Sequence, residues 1–118
     1  MSEEPTPQPA DQKTERQQLI EQYNQRFDAL DNVLGKDKGY GGHFVRTARA
    51  IDKAIAVILD EHDILDPVRR EEGMKGARKT GLMECVQDSP VSESRDINGV
   101  ADVVEAVEKV WEVEKQLS

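Results

Sequence analysis

Residues 97–117 have the sequence INGVADVVEAVEKVWEVEKQL. Apolar side chains recur here at intervals of three and four residues, the spacing that places side chains on one face of an α-helix: Ile97, Val100, Val104, Val107 and Trp111. Valine favours strands by propensity, but helical spacing sustained over about fifteen residues outweighs that preference. The stretch therefore predicts a helix from about Asp96 to Gln116, with a seam suited to packing on another helix.

Two further helices are predicted upstream of this one. The first begins near Asp11 to Thr14, where Thr14 and Gln17 have the spacing of a capping box, and ends at Gly35, since glycine is common just after a helix. Apolar residues at helical spacing form its inner face: Leu19, Tyr23, Phe27, Leu30 and Leu34. The second helix starts close to His43. Its residues 54–59, AIAVIL, are apolar on nearly every side, so we expect them to be the most buried part of the protein.

The segment between the second and the last helix is predicted to be irregular. Asp66-Pro67 indicates a helix start, because Asp caps helices and Pro fits the first helical position. Glycines at 73, 76 and 81 then interrupt the chain, so this short helix should not pass Gly73. The sequence thus predicts an all-α protein, a small bundle of three main helices with an irregular basic loop segment between the second and the last.

The N-terminal residues differ in composition from the rest of the chain. Pro5, Pro7 and Pro9 alternate with polar residues, which predicts a disordered tail over residues 1–13 and a single helical domain over residues 14–118. A chain of 118 residues buries only about two thirds of its unfolded surface. Because small helical chains with thin cores often oligomerise, we expect a homo-oligomer.

The balance of charge makes the chain acidic. Against 16 Lys and Arg stand 24 Asp and Glu, a formal net charge of −8. Nonspecific nucleic-acid binding depends on basic side chains that neutralise phosphates, so a nucleic-acid partner is not expected. The longest apolar run, residues 54–59, is too short to span a bilayer. Cys85 is the single cysteine and residues 1–13 show no signal region, which together predict a cytoplasmic protein.

A glycine-rich stretch, Gly39-Tyr40-Gly41-Gly42, precedes the second helix. Glycine lets backbone N–H groups approach a ligand, and a helix N-terminus favours anions. With Arg46 for charge and Tyr40 for stacking, this stretch is a candidate phosphate or nucleotide site. The alternative is a plain connector between helices, and it is favoured because no strand precedes the glycines and the Lys-Ser/Thr pair of a P-loop is missing.

Residues 68–81 hold the second candidate site. Five basic side chains occur there with only two acidic ones, a net charge of +3: Arg69, Arg70, Lys75, Arg78 and Lys79. A basic loop of this kind can bind phosphate, RNA or an acidic protein surface. It can equally be a solvated loop that complements the acidic last helix of the same or a neighbouring subunit.

Catalytic and metal-binding patterns are not found in the sequence. His43 and the pair His62-Asp63 invite comparison with the HD phosphohydrolases, but both histidines belong to one predicted helix and would lie about 28 Å apart. They cannot share a metal ion at that distance. Cys85 lies in the apolar context LMECV, with no histidine close in sequence, which favours a buried structural cysteine. We therefore expect neither an enzyme nor a cofactor.

These observations favour a non-enzymatic binding or adaptor protein of the phage or bacterial accessory type, acting through self-association and protein–protein contacts. The helical seam of the last helix would form the interface, anchored by Trp111: Val100, Val104, Val107 and Trp111. The alternative is a protein that binds or sequesters a phosphorylated or nucleotide-like ligand through residues 39–42 and 69–79. Its size and residues 79–83, KTGLM, are similar to short phage proteins that sequester cyclic nucleotides, although no binding motif aligns.

Overall fold

The computed structural model describes residues 14–35, 39–90 and 99–117. These residues form four α-helices and no strand: α1 Glu15–Leu34, α2 Tyr40–Glu61, α3 Pro67–Asp88 and α4 Val100–Leu117. The predicted all-α class is confirmed, but the prediction of three main helices is wrong by one. The tail predicted over residues 1–13 and the start of the last helix near Asp96 lie outside the described residues.

Helix α1 begins and ends as its sequence predicts. The Thr14 hydroxyl accepts a hydrogen bond from the Gln17 N–H at 3.1 Å, and the Gln17 side chain accepts one from the Thr14 N–H at 3.0 Å. Both halves of the capping box are therefore formed. Gly35 follows the helix with a φ of 65°, where glycine is favoured, and its N–H donates to the Asp31 carbonyl.

Helix α3 replaces the predicted irregular loop. Asp66 caps it by accepting a hydrogen bond from the Arg69 N–H at 3.1 Å, and the helix continues through its three glycines to Asp88. Two of these glycines face α2. A Cβ atom at Gly81 would lie 2.6 Å from Ile51 Cδ1, and one at Gly73 would lie 3.8 Å from Leu59 Cδ2. Gly81 thus lets Ile51 of α2 approach α3 closely, and this packing offsets the low helix propensity of that glycine, whereas a side chain at Gly73 would make an ordinary contact.

Helices α2 and α4 each contact the other three helices, and α4 contributes more buried side chains than any other helix. Six residues of α4 are buried: Val103, Val104, Val107, Val110, Trp111 and Val113. All of these except Val113 pack in one core with apolar residues of α1, α2 and α3: Leu30, Leu34, Phe44, Val45, Ala48, Leu82 and Val86. The apolar face predicted for residues 97–117 therefore packs in the core wherever the structure describes it, from Val100 onwards.

The prediction that residues 54–59 are the most buried part of the protein is wrong. Val57 and Ile58 are 58% and 47% exposed, whereas α4 supplies the largest share of buried side chains. The physical reason is the position of α4, which meets α2 through Arg49 and Asp52. Because both contacts precede the apolar run, the end of α2 extends past the point where α4 covers it.

Candidate interaction surface

A buried ion pair joins α2 to α3 and is shared with α4. Arg78 Nη1 donates to both carboxylate oxygens of Asp52, at 2.9 and 3.0 Å, and Trp111 Nε1 donates to the same carboxylate. The side chains of Arg78 and Asp52 are only 3% and 6% exposed. Burial of two charges is tolerated when they are paired and hydrogen-bonded, as they are here. Arg78, a predicted ligand-binding residue, is thus engaged inside the core.

A second polar cluster lies beside this ion pair and ties α1 to α2 and α4. Arg49 Nε donates to Glu114 at 2.9 Å, and its guanidinium lies 5.9 Å from the centre of the Trp111 ring. Burial raises the pKa of Tyr23, and the carboxylate of Glu114, which accepts its hydrogen bond, raises it further. These contacts connect helices within the chain. We assign the cluster to fold specification, because each of its charged groups already has a partner.

The glycine-rich stretch is the start of α2 and not a free loop. Gly41 is buried against α1, where a Cβ atom would lie 3.3 Å from both Phe27 Cε1 and Asp31 Oδ1. The Asp31 carboxylate therefore lies beside the helix N-terminus, the place where an anion would bind, and its negative charge disfavours a phosphate there. Tyr40 stacks on Phe44, with ring centres 5.7 Å apart.

The basic residues of α3 point in different directions. Arg69, Lys75 and Lys79 are exposed. Arg70 Nη1 donates to Asp60 and to the Ile64 carbonyl, both at 2.8 Å, while Arg78 lies in the core. The predicted irregular basic loop is therefore wrong, since a helix distributes these five side chains around its circumference.

The structure does not bring the two predicted ligand-binding stretches together within one chain. In the antiparallel pair of α2 and α3, Gly81 packs on Ile51 and Gly73 packs on Leu59. Along the axis of this hairpin, Lys75 is therefore at the same height as about residue 57 of α2. Gly42 is about fifteen residues earlier in the same helix, which corresponds to about 22 Å. Arg46 is exposed on α2 between these two levels.

The residues predicted as an interface on α4 lie mostly inside the chain. Val104, Val107 and Trp111 are buried in the core, and Val100 is half-buried at the helix start. Their surfaces are used in contacts with the other helices of the same chain. An interface role for these four residues stays a prediction that a single chain does not test.

A thiol and an imidazole lie close together although 42 residues separate them in sequence. Cys85 Sγ is 3.9 Å from His43 Nε2 and 4.0 Å from Thr47 Oγ1, and the thiol is half-buried. The antiparallel pairing of α2 and α3 creates this proximity, which sequence reasoning missed. Within residues 14–35, 39–90 and 99–117, no three His, Cys, Asp or Glu side chains are arranged to hold a metal ion.

Shallow grooves flank α4. One of about 450 Å³ lies against α3 and is mainly acidic: Lys79, Met83, Ala101, Asp102, Val104, Glu105 and Glu108. Glu108 Oε2 is 3.5 Å from Arg78 Nε, so this carboxylate is already oriented towards a charge within the core. Another, of about 220 Å³, lies against α1 and has charges of both signs. Neither of these two grooves concentrates positive charge for a phosphorylated ligand.

An apolar surface is exposed on the α2–α3 hairpin. Four large apolar side chains are strongly exposed there: Val57 at 58%, Ile58 at 47%, Leu65 at 70% and Val68 at 65%. Ala50 and Ala54 are exposed on the same helix as Val57. We call these six residues the hairpin surface. Clustered exposed apolar residues mark interaction sites in soluble proteins, whereas scattered ones do not.

No protein-family model, curated protein or solved structure matches this chain. What the chain does must therefore be inferred from its own residues. None of the helices in the described ranges combines the length and the apolar character that crossing a bilayer requires. Among the described residues, the large apolar side chains of the hairpin surface are strongly exposed, so contacts with the other described helices do not account for them.

Proposed function

We propose that this chain is a non-enzymatic binding protein that acts through self-association, with the hairpin surface as its interface. The observation that carries the proposal is the exposure of Val57, Ile58, Leu65 and Val68 at one end of the α2–α3 hairpin. A second copy is the occupant that we infer, because the charges around this surface complement one another between two identical copies.

Burial of the exposed apolar side chains favours association. Removing a Val, Leu or Ile side chain from water contributes about 1.5–3 kcal/mol when burial is complete. The four large side chains of the hairpin surface are each about half exposed or more. Even partial coverage by a partner therefore supplies several kcal/mol, set against the entropy lost on association.

The proposal moves the interface from α4 to α2 and α3. Sequence periodicity favours α4, but in the folded chain Trp111 donates to Asp52 and packs among α1, α2 and α3. Exposing the α4 seam to a partner would require these contacts to break. The hairpin surface is available without any change in the fold.

Sequestration of a phosphorylated ligand is the alternative, and the geometry supports it less well. Arg78 is engaged with Asp52, and Arg70 with Asp60. The exposed cations Lys75 and Lys79 lie at a different level of the hairpin from Gly42. A ligand would then have to bridge two chains to contact both predicted stretches.

The proposal is tested by placing charge on the hairpin surface. In the double variant Val57→Lys/Val68→Lys, we expect a monomer under conditions where the wild type associates, measured by light scattering after gel filtration. The far-ultraviolet dichroism should be unchanged, since both side chains are exposed. Ile20→Lys is the matched control, because Ile20 is also an exposed large apolar residue but lies on α1. If the double variant associates as strongly as the wild type, the hairpin surface is not the interface.

A further inference from the structure

We infer that the second copy packs its α2 antiparallel to α2 of the first, across a two-fold axis between Lys53 and Ala54. In this arrangement Arg46 faces the partner's Glu61, and Ala50 faces the partner's Val57. The inference rests on the proposed self-association and specifies its geometry for the part of the hairpin surface that lies on the outward face of α2, namely Ala50, Ala54 and Val57.

The outward face of α2 is the first observation. Its exposed residues recur at helical spacing: Arg46, Ala50, Lys53, Ala54, Val57 and Glu61. The opposite side of the same helix is buried in the core through Phe44, Ala48 and Asp52. The outward face therefore has a central apolar strip between a basic end and an acidic end, and nothing in the described chain covers it.

The sizes of the apolar side chains are the second observation. A two-fold axis between Lys53 and Ala54 places Ala50 opposite the partner's Val57, so a small residue faces a larger one at both ends of the strip. Ala54 lies beside the axis, where a short side chain allows two helices to approach closely. Alternation of small and large side chains across an interface is what close helix packing requires.

The charges are the third observation, and they select the direction of pairing. Arg46 and Glu61 are both exposed, and neither forms an ion pair with another described residue. The antiparallel arrangement pairs Arg46 with the partner's Glu61 twice, once on each side of the axis. A parallel two-fold pair would instead place each charged residue opposite its own copy. Like charges in contact oppose association, so the antiparallel pair is favoured.

Lys53 is compatible with this geometry. It lies beside the axis at the margin of the outward face, opposite Ala54 of the partner subunit. A lysine at such a margin can lay its aliphatic chain along the apolar strip and keep its ammonium group in water. The pairing therefore leaves no charge buried without a partner.

Charge reversal tests the contact between Arg46 and the partner's Glu61. We expect Arg46→Glu or Glu61→Arg alone to weaken association about tenfold, because each dimer contains two such pairs. The combined variant Arg46→Glu/Glu61→Arg should restore wild-type association, since the pairs re-form with their signs exchanged. Sedimentation velocity measures all four proteins, and dichroism confirms that each is folded. Association that stays weak in the combined variant overturns the inference.

Disulfide trapping tests the direction independently. In a Cys85→Ser background, Ala50→Cys and Val57→Cys chains are mixed and oxidised mildly. We expect the cross-link to join one chain of each kind, with little product from Ala50→Cys alone. Self-linking of Ala50→Cys instead would indicate parallel helices and overturn the inference, although association itself would stand. A wild type that is monomeric at every concentration would contradict the proposed self-association itself. Failure of the antiparallel geometry is thus distinguishable from failure of the proposed function.

Discussion

Asp52 on α2 and Arg78 on α3 form an ion pair in the core, with Arg78 Nη1 at 2.9 and 3.0 Å from the two carboxylate oxygens. Trp111 of α4 donates to the same carboxylate, so three helices meet at one side chain. Hydrogen bonds of this kind have directional requirements that apolar packing lacks. The pair therefore helps to fix how α4 lies on the hairpin, and with it which part of α2 stays uncovered.

Loss of Arg78 should be costly to the fold. We expect Arg78→Met, which keeps most of the side-chain volume, to lower the free energy of unfolding by about 3–5 kcal/mol, because the Asp52 charge stays buried without its counter-charge. Urea denaturation followed by the fluorescence of Trp111, the single tryptophan, measures this. The control is Arg69→Met on the same helix, which is exposed and should change stability by less than about 0.5 kcal/mol. Equal stability of the two variants would contradict a structural role for Arg78.

The glycines of α3 should respond differently to substitution. Nothing lies within 4 Å of a Cβ atom at Gly76, so Gly76→Ala should raise stability by up to about 1 kcal/mol through helix propensity. Gly81→Leu adds a good helix former, yet its Cβ would lie 2.6 Å from Ile51 Cδ1. Overpacking there should lower stability by about 1–3 kcal/mol. The midpoint of thermal unfolding of both variants, compared with the wild type, tests these two expectations. An increase in stability for Gly81→Leu would show that α2 and α3 are not closely packed at Gly81.

Tyr23 should make the protein sensitive to alkaline pH. Burial and the neighbouring Glu114 raise its pKa above the ordinary value of 10.0, so the folded state favours the neutral phenol. This contribution is fully present below about pH 10 and is lost as the pH rises through the folded-state pKa. We expect the free energy of unfolding to fall more steeply above pH 10 in the wild type than in Tyr23→Phe. Parallel curves for the two proteins would contradict the assignment.

Local signals in the sequence predicted part of the fold. The capping box of Thr14 and Gln17 and the spacing of residues 97–117 need no knowledge of distant neighbours, and both predicted helices are present where the chain is described. Helix α3 was missed because glycine lowers helix propensity locally, whereas the contact between Gly81 and Ile51 that offsets this loss joins two separate helices.

The difference between local signals and contacts across helices also explains which candidate functional residues the sequence predicted wrongly or missed. Arg78 resembles a binding residue in sequence, since its partner Asp52 is 26 residues away. The proximity of Cys85 and His43 depends on the register of the hairpin in the same way. Residues 54–59 are apolar enough for a core, but hydrophobicity alone does not say whether the covering surface comes from the same chain or from a second one.

The central claim is that the hairpin surface is covered by a second copy of the chain. Sedimentation equilibrium of the full-length wild type, over a wide range of concentrations, tests it most directly. We expect the molar mass to rise with concentration from the monomer value of 13.3 kDa towards twice that value. A mass that stays at 13.3 kDa at every concentration would contradict the claim.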